Sequence, residues 1–177
     1  KDYTHLVLAA DDLIFTQKDI DLLKKDIMYS NYPVISGCCT IDGSWDRPVN
    51  IIIDYLPTLY RDTRCFPFIE YDELKDNITK VMFSGFPLMF IRRDVVEKIG
   101  FDSDSQVDGS DPDIWGNIDL VFCHRCKENK IPIHVDKRAY MLHLRGNHGL
   151  INNDPAKRYI EAKINNLHHI LSGSKGS

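Results

Sequence analysis

No stretch of this sequence is long and apolar enough to cross a membrane as a helix. The richest run, residues 81–91, is broken by Ser84, Gly85 and Pro87. Nothing repeats and no tract is of low complexity, which excludes solenoid and collagen-like architectures. Positive charge is not in excess. Twenty-two Lys and Arg stand against 26 Asp and Glu, a net charge of -4, so a nucleic-acid partner is not expected. Cysteine is scarce and odd in number. Cys38, Cys39, Cys65, Cys123 and Cys126 form no closed disulfide framework, and no signal-peptide pattern opens the sequence, so a reducing compartment such as the cytoplasm is expected. Cys123-His124-Arg125-Cys126 has C-x-x-C spacing without a second pair, which argues against zinc. Residues 102–113 are rich in Asp, Ser and Gly. No register there supplies the glycine and glutamate of an EF-hand. Asn77-Ile78-Thr79 fits the N-glycosylation triplet, which means little without a secretory signal.

What remains has the makings of one soluble globular domain. Of the 177 residues, 43% are hydrophobic and 27% charged, enough to build a core without staples. Periodicity predicts alternating strands and helices. Residues 5–9 read as a buried strand, and Thr16 caps a helix to about residue 28, with Ile20, Leu23 and Ile27 on one face. Strands follow at 33–41 and 49–53, and residues 54–80 read as short strands and loop. Strand pieces at 81–83 and 88–91 flank a Ser84-Gly85 turn. A short helix at 93–99 stops at Gly100. A helix is predicted from 114 to about 128, and strands at 132–135 and 140–144. Asp154 caps a last helix, with Pro155 at its first position. The domain is placed at residues 1–171, and 172–177 reads as a disordered tail. The alternation predicts an α/β fold, a mixed sheet flanked by helices. Ligands of such sheets sit beyond the carboxyl ends of strands, where Asp11, Asp12 and His143 fall.

Four segments carry candidate chemistry. Leu6-Val7-Leu8-Ala9-Ala10-Asp11-Asp12 places two adjacent carboxylates at a strand end, an arrangement a hard divalent cation would stabilise. Asp is also favoured near a helix N-terminus, which accounts for the pair in part. The segment resembles the aspartate metal motif of GT-A glycosyltransferases, which ends a strand and precedes a helix. That motif is Asp-x-Asp, and the earlier aspartate falls on Ala9 or Ala10, so only the second carries over, as Asp11 or Asp12. Phe83-Ser84-Gly85 through Arg92-Arg93 to Gly100-Phe101-Asp102 resembles a stretch of family 2 glycosyltransferases: a small-residue turn, a strand, basic residues, a short helix and Gly-Phe-Asp. Asp113-Ile114-Trp115-Gly116-Asn117-Ile118-Asp119, with Arg125 six residues beyond Asp119, resembles the Glu-Asp motif of inverting family 2 enzymes. Trp115-Gly116 resembles the start of the Trp-Gly-Gly-Glu-Asn motif of polypeptide N-acetylgalactosaminyltransferases. Ile118 stands where the motif has Glu. Tyr140-Met141-Leu142-His143-Leu144-Arg145 resembles the strand after the base helix, where such enzymes place a metal-ligating His.

The resemblance implies a GT-A-like, Rossmann-related fold and an enzyme that moves a sugar from a nucleotide-sugar donor to a protein, glycan or lipid acceptor. It implies Asp119 as catalytic base of an inverting enzyme, or as a positioning group if configuration is retained. It implies Asp11, Asp12 and His143 as ligands of Mn²⁺ or Mg²⁺, with Ser84, Gly85, Trp115, Gly116 and Arg145 contacting substrate and His148 in reserve. Members of these families carry a strand-helix-strand nucleotide-binding half before the metal motif. No counterpart is recognised here, and a degenerate, non-catalytic domain that binds a sugar or a partner is the alternative.

Overall fold

The computed structural model describes residues 3–41, 49–54, 67–101 and 118–143. The expected last helix and tail, and the segment carrying Trp115 and Gly116, lie outside them, as do Cys65, Arg145 and His148. Eight strands and three α-helices are described: β1 His5–Ala9, β2 Leu13–Ile14, α1 Gln17–Ser30, β3 Val34–Cys39, β4 Ile51–Ile52, β5 Ile78–Val81, β6 Phe83–Ser84, β7 Leu88–Arg92, α2 Arg93–Ile99, α3 Ile118–Glu128 and β8 Ile133–His143. Among the described residues, no helix is long and apolar enough to span a membrane.

The main sheet has the order β1-β7-β3-β8-β2, with β5 beside the first half of β8. β7 runs antiparallel to both β1 and β3, whereas β3 and β8 are parallel. The fold is therefore α/β with a mixed sheet flanked by helices. β4 and β6 form a separate two-stranded ladder.

α1 begins where Thr16 predicts. The Thr16 hydroxyl accepts from the Asp19 N–H, and the Asp19 carboxylate accepts from the Thr16 N–H at 2.7 Å, a reciprocal capping box. The helix stops at Asn31, in the left-handed region at φ 54°. Leu23 and Ile27 press onto Ile35, Cys39, Leu88 and Met141, the core of one sheet face. The other face is larger. Val34, Cys38, Met89 and Ile133 meet α2 and α3, and Phe122 stacks on Phe101 at 5.3 Å and meets Phe86 edge-on. β3 is buried along its whole length because both its faces are covered.

Two expectations change. β1 is not a buried strand: it pairs with β7 alone, and Val7 is 47% exposed, so it forms a sheet edge. The strands expected at 132–135 and 140–144 are one, β8. The polar stretch between them stays in the sheet because buried Asp136 is held by a forked Arg138, and the Lys137 N–H donates to Asn77. The mismatch is absorbed by a register shift opposite Ser36–Cys38.

Candidate active site at the carboxyl ends of β3 and β8

The parallel strands β3 and β8 end side by side, and the β1–β2 turn folds over them. Leu13 pairs with His143 across β2 and β8, which brings the preceding residue, Asp12, onto the His143 ring. His143 Nε2 lies 2.9 Å from Asp12 Oδ2, and Nδ1 lies 3.1 Å from the Thr40 carbonyl. The Thr40 oxygen can only accept, so Nδ1 carries the hydrogen. That leaves the Nε2 lone pair aimed at a carboxylate oxygen, two acceptors that need a proton or a cation between them. His143 is mostly shielded and Asp12 is open to solvent, with side-chain exposures of 16% and 40%. Asp11 is exposed on the same turn.

β3 also connects this pair to the Ser84-Gly85 turn. Asn50 closes a ladder onto Cys39: its N–H donates to the Cys39 carbonyl at 3.0 Å, and its side-chain Oδ1 accepts from the Cys39 N–H at 3.2 Å. The Gly85 N–H donates to the Asn50 carbonyl. A methyl group on Gly85 would stand 2.6 Å from Asn50 Nδ2, so glycine here lets the Asn50 amide lie against the backbone. The Ser84 hydroxyl is fully buried. It donates to Ser36 Oγ at 3.1 Å and turns away from solvent.

Asp119 occupies the first turn of α3, where the helix dipole favours a carboxylate. Its Oδ1 accepts the Leu120 N–H at 2.8 Å. One turn on, the Cys123 thiol donates to the Ser84 carbonyl, which ties α3 to the Gly85 turn.

No protein-family model and no curated protein matches this sequence. The chemistry must be argued from the residues themselves. Thiol nucleophiles are disfavoured among the described residues: Cys38, Cys39, Cys123 and Cys126 are all buried. Burial pushes the Cys39 thiol up to about 12, with the Asp12 carboxylate adding to the shift, and burial alone takes Cys126 up to about 12. No three His, Cys, Asp or Glu side chains converge among the described residues, so Asp12 and His143 stand as a pair. Residue types alone did not reveal Thr40 and Asn50. Thr40 acts through its carbonyl, which no side-chain pattern encodes, and Asn50 acts through a contact eleven residues back.

Proposed function

We propose that this domain is the metal- and acceptor-binding half of a GT-A-type glycosyltransferase. The reading rests on one observation above all: Asp12 and His143, 131 residues apart in the sequence, meet at 2.9 Å at the carboxyl ends of two parallel strands. The four resembling segments add to it.

The residues fit a divalent cation such as Mn²⁺ or Mg²⁺. A carboxylate and an imidazole lone pair converge, and the other imidazole nitrogen is held by a backbone carbonyl, as in metal-ligating histidines. Phosphate oxygens and water would complete the ligand set. When bound, the cation supplies Lewis-acid charge neutralisation to the leaving nucleoside diphosphate. Asp12 and His143 would hold it, and exposed Asp11 would add negative potential at the mouth. Asp119 would take the proton of the acceptor hydroxyl as general base in an inverting enzyme, or position substrate in a retaining one. Gly85 and the Asn50 amide would form the floor beside them.

A second reading is a degenerate domain of the same kind that binds a sugar or a partner without transfer. Ala9, Ala10 and Ile118 in place of motif acids favour it.

Calorimetric titration of uridine, guanosine and cytidine diphosphates with and without Mn²⁺ separates the outcomes. At least one is expected to bind only with Mn²⁺, and Asp12→Ala is expected to abolish that binding. Binding that a chelator leaves unchanged rejects the metal site. Metal-dependent binding of the matching nucleotide-sugar without transfer to any acceptor favours the second reading.

A further inference from the structure

A cavity of about 330 Å³ opens at the sheet edge, where β5 flanks the start of β8 beneath the last turn of α3. Val81, Ile131 and Ile133 give it an apolar floor, backed by Cys123 and Cys126. Lys80, Lys127 and Lys130 also line it, and no acidic residue does among the described residues. All three lysines are exposed. An acid-free group of three lysines runs against the composition of a chain with net charge -4.

Lys130 adds a second observation. It has φ 56°, a left-handed conformation that favours glycine. It closes α3: the Ile131 N–H donates to the Cys126 carbonyl at 2.8 Å, and the Lys130 N–H to the Lys127 carbonyl at 3.0 Å. Lys127 and Lys130 also oppose the negative end of the helix dipole. Lys80 does not: it comes from β5, a different element, yet borders the same cavity.

We propose that this cavity binds a small phosphate monoester with a short apolar body. The volume lies at the low end for ligand pockets, which limits the body to a few carbons or one ring. Inorganic phosphate would leave the apolar floor uncovered, and an uncharged alkyl chain would leave the ammonium groups without an anion. The site is separate from the Asp12–His143 pair. Ile133 borders the cavity and His143 ends the same strand; β3 covers Ile133 to Met141 in five residue steps, so the span to His143 is about 23 Å.

The test is calorimetric titration of the protein with hexyl phosphate, inorganic phosphate and hexanol. Hexyl phosphate is expected to bind at least about tenfold more tightly than either of the others. The exposed double variant Lys127→Gln/Lys130→Gln should weaken it by about ten- to a hundredfold, two charge-assisted contacts being lost. Lys80→Gln should weaken it by a smaller factor. Circular dichroism should show each variant folded. Asp12→Ala should leave hexyl phosphate affinity unchanged, so the result stands apart from the fate of the glycosyltransferase reading. Four results would overturn the proposal: no saturable binding in the millimolar range, equal affinity for inorganic phosphate, affinity unmoved by the lysine variants, or affinity lost with Asp12.

Discussion

Asp26 and Asp136 make the sharpest quantitative prediction. Asp26 on α1 is 8% exposed and Asp136 on β8 is 0% exposed. Arg138 forks onto Asp136, with Nη2 at 2.6 Å and Nε at 2.9 and 3.1 Å, but reaches Asp26 Oδ2 only at 3.7 Å. No N–H or hydroxyl group donates to that oxygen. One guanidinium cannot neutralise two buried carboxylates, so the pair retains a proton. Burial, and then the Asp136 carboxylate, push Asp26 up to about 7, with Arg138 and Lys25 pulling against them. For Asp136, burial works upward, but hydrogen bonds with Arg138 and Asp26 outweigh it and hold the group below its ordinary value.

The folded chain therefore keeps a proton on Asp26 that the unfolded chain releases near 3.8. Stability contributed by this group must fall as pH rises from about 4 to about 7. A shift from 3.8 to about 7 is worth about 4 kcal/mol once complete. Asp26→Asn replaces the shared proton with a permanent amide hydrogen. Urea denaturation of both proteins across this range should show the variant close to wild type at about pH 4 and about 2–4 kcal/mol more stable at about pH 8. Other carboxylates titrate in both proteins, so the difference isolates the Asp26–Asp136 pair. A difference that stays flat with pH would refute the shared-proton argument.

Phe122→Ala removes a 2% exposed ring stacked on Phe101 and should cost about 3–5 kcal/mol, read as a fall in Tm by calorimetry. Gly37→Ala would drive a methyl group into the Ala139 carbonyl and the Met141 side chain. It should destabilise by at least about 1–3 kcal/mol, since the carbonyl belongs to the paired strand β8 and cannot swing aside. Asp119→Asn should stay folded and lose about 1 kcal/mol with the charge at the helix start, because Asn can still accept the Leu120 N–H. If Asp119 is the base, transfer in a coupled nucleoside-diphosphate assay should fall by about a hundred- to ten-thousandfold, and near-normal transfer would remove it from that role.

The sequence by itself determined the local elements. Thr16 and Asp19 mark the start of α1 whatever surrounds them, because a capping box closes within four residues. Gly100 ends α2 for an equally local reason, its N–H bonding to Val96 at a positive φ of 62°. The mixed α/β class followed from alternating periodicities. Position beyond the strand ends also singled out Asp12 and His143 as candidates.

Only the tertiary structure decided the pairings. That β1 is an edge depends on which strands flank it, and a short, mostly apolar run reads the same at an edge or in the middle. That β8 continues through Asp136-Lys137-Arg138 depends on a half-exposed Arg138 reaching buried Asp136 beside α1, which polarity along the chain cannot reveal. The contact of Asp12 with His143 spans 131 residues and exists because β2 pairs with the end of β8. Thr40 orients His143 through a backbone carbonyl, and every residue has one. Its meaning came from the strand that placed it there.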